Sequence, residues 1–138
     1  MADHHKDAGD MFEMKLELVP IPVADVDRAK AFYSEKIGFH VDHDVQPAAG
    51  VRVCQLTPPG SGCSILFSTG LGPISEMQPG SVKGVHLVVK DVAKVREVLA
   101  SRGVEVSAID EYDRGIKLVY FSDPDGNSWE LQEIPPGV

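Results

Sequence analysis

Apolar residues settle into a regular pattern from Leu16 onward. Leu16, Leu18, Val19, Ile21 and Val23 predict a first strand. Asp25 then stands where a helix N-cap belongs, and Val26, Ala29, Phe32 and Tyr33 recur at helical spacing until Gly38. Three short strands are predicted around 40–45, 51–56 and 63–68, separated by Pro and Gly. The stretch 69–81 is rich in Gly, Pro and Ser and reads as a linker. The same order then repeats. A strand at 85–89 is followed by Asp91 as cap, by Val92, Val95, Val98 and Leu99 as a helix face, and by Gly103 as the stop. Strands near 104–109, 116–121 and 128–134 complete the second round.

The two rounds are in register. Asp25 to Asp91 spans 66 positions, and so does Gly60 to Gly126. A repeat this long signals duplicated supersecondary units rather than a solenoid. One βαβββ unit has a sheet face that it cannot bury alone. The pattern therefore predicts an α+β fold, with two tandem βαβββ modules forming a curled mixed sheet around a cup. Module one covers 15–70, the linker 69–82 and module two 83–134, all in a single domain. Residues 1–14 lack periodicity and read as a flexible tail in which His4 and His5 are solvated, and 135–138 form a short C-terminal tail.

Composition narrows the function. The chain has 138 residues, 43% of them hydrophobic, enough for one real core. No apolar run approaches the roughly 18 residues that a membrane helix needs, and the polar start is unlike a signal peptide. Cys54 and Cys63 have neither metal-ligand spacing nor a disulfide framework, so reduced thiols and a cytoplasmic location are expected. The formal charge is −8, which argues against a phosphate backbone as partner. An acidic surface also serves solubility.

Two stretches carry a family resemblance. Val23-Ala24-Asp25-Val26-Asp27-Arg28-Ala29, with Phe32-Tyr33 and Ile37-Gly38-Phe39, resembles the first module of the vicinal-oxygen-chelate superfamily. Ser122-Asp123-Pro124-Asp125-Gly126-Asn127-Ser128-Trp129-Glu130-Leu131 resembles its last hairpin and strand. That group contains glyoxalase I, extradiol dioxygenases, fosfomycin-resistance enzymes and bleomycin-resistance proteins. The resemblance covers about residues 15–134. It implies paired βαβββ modules around a shared cup, commonly in a homodimer.

Alternation along strands selects the cup residues. Val85, Leu87 and Val89 suit the helix side, which leaves Gly84, His86 and Val88 for the cup. Trp129 and Leu131 pack inward, which leaves Glu130 and Gln132, while Leu118 and Tyr120 line the neighbouring strand. Subtracting 66 adds Arg52, Cys54, Ser64 and Leu66 from module one. In this set Arg52 suits a ligand carboxylate or phosphate, or an ion pair with Glu130. Glu130 and His86 are the candidate acid–base groups. Tyr120 reads as a wall with an orienting hydroxyl. Cys54 reads as a small buried thiol rather than a nucleophile.

The resemblance also implies a metal site with one ligand from each of four strands. Carried over, the positions are Leu18, Ser64, Gly84 and Glu130, and only Glu130 is a metal ligand by type. No metal or other cofactor is therefore expected, with a displaced divalent-metal site at His86 and Glu130 as the alternative. His40, Asp42 and His43 also attract a metal hypothesis, but simple alternation puts His43 on the opposite face from the other two. The acidic run Asp110-Glu111-Tyr112-Asp113-Arg114-Gly115 reads as a solvated turn near the cup. Two functional classes stay open. One is a protein that binds a small molecule without metal. The other is a lactoylglutathione-lyase-like or dioxygenase-like enzyme with an altered site.

Overall fold

A computed structural model describes residues 12–137. The expectations for His4 and His5, and for most of the N-terminal tail, lie outside these residues. Both predicted caps form. Asp25 accepts the Arg28 backbone N–H at 3.1 Å, opening helix α1 (Val26–Ala31). Asp91 does the same for Lys94, also at 3.1 Å, opening α2 (Val92–Ser101). A wider π turn, Phe32–Ile37, extends α1. Its bond from the Gly38 N–H to the Tyr33 carbonyl spans five residues, and Gly38 ends the run at φ 99°.

Among the described residues, eight strands make two sheets. Sheet one contains β1 (Leu18–Pro20), β2 (His40–Ala48), β3 (Val51–Thr57) and β4 (Ser64–Thr69) in the order β1-β4-β3-β2. Sheet two contains β5 (Val85–Val88), β6 (Asp110–Glu111), β7 (Lys117–Ser122) and β8 (Ser128–Glu133) in the order β5-β8-β7-β6. In each, the first strand runs parallel to the last, and the other pairings are antiparallel. The duplicated βαβββ architecture is as the sequence predicts. The linker contains a short 3₁₀ turn, Gly72–Glu76. Among the described residues, no helix is long and apolar enough to cross a membrane.

One strand is shorter than expected. The apolar segment 104–109 forms no regular ladder, and β6 begins only at Asp110. Ser107 explains part of this. Its Oγ accepts the Tyr120 N–H at 2.9 Å, so a side chain takes the place of a backbone carbonyl.

The helix-side faces of both sheets share one core. Ile65 and Phe67 of β4, Val119 and Phe121 of β7, and Trp129 and Leu131 of β8 all belong to it. Tyr33 is fully buried between the sheets, its ring centroid 5.2 Å from Phe67 and 5.6 Å from Trp129. Its hydroxyl accepts the Trp129 Nε1–H at 2.7 Å and donates to Asp123 at 2.8 Å. Burial and the Asp123 charge raise the Tyr33 pKa well beyond its ordinary value. Asp123 also accepts from the backbone N–H groups of Asp125 and Asn127 and from the Asn127 side chain. Asn127 in turn donates to the Pro22 carbonyl at 2.8 Å and accepts the Val82 N–H at 3.1 Å. The Asp-Pro-Asp-Gly-Asn turn thus ties module two to the end of β1, to the linker and to the α1 extension.

Candidate functional site

With the helix faces joined in one core, the helix-free faces hold the groups available to a ligand. On sheet two these are the groups expected. His86 pairs directly with Glu130, Val88 with Gln132, Leu118 with Gln132 and Tyr120 with Glu130. His86 Nδ1 lies 2.8 Å from the Gly84 carbonyl, which can only accept, so Nδ1 carries the proton. Nε2 then faces Glu130 Oε1 at 3.5 Å. A Cβ on Gly84 would lie 3.3 Å from Glu130 Oε2, so the bare glycine gives the carboxylate room. Glu130's side chain is 19% exposed and His86's is 47% exposed. The Tyr120 and Tyr112 hydroxyls stand 2.9 Å apart. This contact, reinforced by burial and the Glu130 charge, pushes the Tyr120 pKa up to about 12. Tyr112 comes from the acidic run; its backbone pairs with Ile116, and only its long side chain reaches Tyr120.

Sheet one departs from expectation. Ser64 and Leu66 do lie on the helix-free face, since Ile65 and Phe67 occupy the core. Arg52 and Cys54 do not. Cys54 pairs with Phe67 and is fully buried in the core, where burial pushes its thiol pKa up. Arg52 reaches back to α1, with a guanidinium nitrogen 2.8 Å from Asp27 and another pair of bonds to Asp44 at 2.8 and 3.0 Å. Lys30 joins the same Asp44 carboxylate at 2.9 Å, and these cations hold Asp44 well below the usual carboxylate range.

The cause of the correction is hairpin register. Leu66 pairs with Gln55, eleven residues earlier, whereas Gln132 pairs with Leu118, fourteen residues earlier. At equivalent positions of the last strand, module one's pairing is offset by three residues, and an odd offset turns every side chain of β3 to the other face. Gln55 and Val53 therefore stand where Cys54 and Arg52 were expected.

A second correction concerns β2. A register shift between Val41 and His43 inserts Asp42 as an extra residue. His40 pairs with Thr57 and His43 with Gln55, while Asp42 bonds the side chains of both Thr57 and Gln55. The bulge thus gathers His40, Asp42 and His43 on one face, against simple alternation. His40 Nε2 is 3.9 Å from Asp42 Oδ1.

These placements bear on metal chemistry. Leu18 pairs with Ser64 on sheet one, and neither supplies a strong ligand. On sheet two the residue beside Glu130 is His86 rather than Gly84. By register, two of the four positions are then ligands by type, both in module two. Among the described residues no group of three or more His, Cys, Asp or Glu could hold a metal ion. The donor set does not fit the family's usual metal.

Hollows adjoin these residues, among them one of about 320 Å³ beside His86 and Val88. An apolar crevice of about 190 Å³ spans the modules, lined by Leu16, Val19, Cys63, Ser64, His86 and Leu87 among others. A hollow of about 480 Å³ borders Tyr120, Ser107 and Ser122. Another, of about 380 Å³, borders Arg52, Val51 and Asp25.

Comparison with known proteins agrees with the architecture. The family model described as Glyoxalase/Bleomycin resistance protein/Dioxygenase superfamily matches residues 15–131. The chain belongs to this family. No curated protein matches it. Among solved structures, it is similar to TnmS3, an antibiotic-binding protein from Streptomyces sp. CB03234. The identity is 32%, over 88% of this chain and 97% of that one, with a TM-score of 0.74. A glyoxalase/bleomycin resistance protein from the same strain is 34% identical over 85% of this chain and 98% of its own, with a TM-score of 0.71. A superfamily member from Sphaerobacter thermophilus DSM 20745 is 29% identical over 88% and 98%, with a TM-score of 0.76.

Proposed function

We propose that this family member binds a small molecule on its helix-free faces and does so without the family's usual metal. The observation that carries the reading is the donor set. Module one offers Leu18 and Ser64 at its two ligand positions, so a metal held at Glu130 and His86 would lack module-one ligands. The antibiotic-binding role of TnmS3, a relative at 32% identity, supports sequestration of a compound as the task. In this reading Tyr120, Leu118, Gln132, Ser64 and Leu66 line the ligand site, and His86 and Glu130 supply its titratable pair. The working form is a cytoplasmic homodimer, in which a second copy covers faces that one chain leaves open. Val88, on the helix-free side of β5, is 71% exposed, which suits such a contact.

A second reading, metal-dependent lyase, isomerase or dioxygenase chemistry, has one observation in its favour. His86 is held through Nδ1 with Nε2 turned to Glu130, an orientation typical of metal-binding histidines. Metal analysis of the untagged full-length protein separates the two. Variants with His4 and His5 replaced by Ala, and Glu130→Ala, are measured beside it. Ni²⁺, Zn²⁺, Mn²⁺ and Fe²⁺ are titrated against melting temperature. The expected outcome is no stoichiometric metal and no thermal shift assignable to Glu130. Stoichiometric metal that survives loss of His4 and His5 and disappears in Glu130→Ala would establish the second reading instead.

A further inference from the structure

The helix-free face of sheet one is a closed hydrogen-bond circuit whose polarity can be worked out. Asp42 is an acceptor only when ionised, and its hydrogen bonds from Thr57 and Gln55 hold its pKa down. The Thr57 hydroxyl proton therefore points to Asp42. Thr57 Oγ1 and Ser64 Oγ lie 2.6 Å apart, and with the Thr57 proton committed, Ser64 must be the donor in that contact. The Gln55 amide nitrogen lies 3.1 Å from Asp42 and 3.4 Å from Ser64 Oγ, so both its hydrogens point inward and its carbonyl oxygen is left over. Every donor of this trio of side chains is thus consumed within the cluster. What remains for a ligand is a lone pair on Ser64, the Gln55 carbonyl and the carboxylate.

Arg52 is the only Lys or Arg in the four strands of sheet one, and it lies on the opposite face, paired with Asp44 and Asp27. No fixed cation on these strands can therefore receive an anionic ligand here. His40 and His43 flank the circuit on β2; a neutral imidazole adds no fixed charge there and carries one donor and one acceptor nitrogen.

We propose that the Ser64–Thr57–Asp42 chain, with Gln55, makes this face an acceptor subsite. It would take ligand groups that donate hydrogen bonds, namely hydroxyl, phenol or ammonium, and refuse carboxylates and phosphates. The proposal rests on the small-molecule reading above and adds the ligand's chemical class.

The test uses full-length protein at a pH of about 8, where histidines are largely neutral. Phenols, their methyl ethers, benzoates and alkylammonium ions are titrated as matched fragments while side-chain NMR signals of Gln55 and Ser64 are followed. Phenols should bind this face about fivefold to tenfold more tightly than their ethers, the worth of one net hydrogen bond. Benzoates should not bind there. Thr57→Val frees the Ser64 proton to turn outward, so the preference for phenol over ether should fall. Asp42→Asn separates the two donor sources, since it should abolish ammonium binding and spare phenols. Ethers or benzoates matching phenols at this face would overturn the proposal, as would an undiminished preference in a folded Thr57→Val protein. Fragments that bind only to sheet two would overturn it alone. If no fragment moves a signal on either face, the small-molecule reading fails and the proposal with it.

Discussion

The two modules share one architecture and have diverged on their helix-free faces. Sheet two presents an imidazole and a carboxylate side by side, His86 and Glu130, with a paired tyrosine wall beside them. Sheet one presents hydroxyls and an amide whose donors are consumed in a chain ending on Asp42, flanked by His40 and His43. The modules share one core, where Phe67 and Trp129 meet the same tyrosine, and differ on their outer faces. Backbone order is therefore a poor guide to chemistry in this molecule. Strand register is a better one.

The contrast can be broken most severely where the modules join. Asp123→Ala removes an acceptor of four hydrogen bonds and leaves the Tyr33 O–H proton and one Asn127 amide hydrogen without an acceptor inside the core. Loss of about 3 kcal/mol or more is expected, read from urea unfolding. Both modules should unfold in one transition if the shared core makes them a unit, so two separate transitions would contradict that unity.

Arg52→Ala sharpens the difference between the faces. The side chain is 21% exposed and makes partly buried ion pairs, so a loss of about 1 kcal/mol is expected in the same assay. Fragment affinities on the helix-free faces should be unchanged. Weaker binding of any fragment would return Arg52 to the site.

Acid titration examines the same cluster. The folded-state pKa of Asp44 is depressed, so its stabilising contribution is fully present above the unfolded carboxylate value of about 4 and is lost as pH falls through the folded value. The stability gap between wild type and Asp44→Asn should be constant from neutral pH down to that point and then narrow. A gap that persists at the lowest pH would show that the pairing is not what holds Asp44 ionised.

The smallest effect is predicted at Val88. Val88→Asp at this exposed position should cost the fold of a single chain no more than about 0.5 kcal/mol. In the homodimer reading, it should shift the mass measured by light scattering from dimer to monomer. A dimer that persists in Val88→Asp would place the contact elsewhere.

Much of this was legible beforehand. The caps Asp25 and Asp91, the stop at Gly38 and the pairing of His86, Glu130 and Tyr120 on one face follow from spacing and alternation. Arg52 and Cys54 fall on the other face from that expected, because subtracting 66 assumes equal hairpin register in the two modules. Hairpin register is set by the turn, and apolar periodicity reports nothing about it. His43 was misplaced because a bulge leaves no hydrophobic signature in a polar strand. Thr57 and Gln55 carried no motif, and their significance comes from the hydrogens they give to Asp42. Tyr112 could have been noticed as the lone aromatic in an acidic turn, yet only folding shows which hydroxyl it meets.

The offset hairpin register of module one has a wider implication for how such proteins change. Adding or deleting an odd number of residues in that turn would exchange, in one event, the amino acids that a strand shows to solvent with those it hides. A pocket's lining could then be replaced wholesale with no codon in the strand altered. In duplicated folds of this kind, gaps in a turn deserve as much weight as substitutions when an ancestral binding preference is reconstructed.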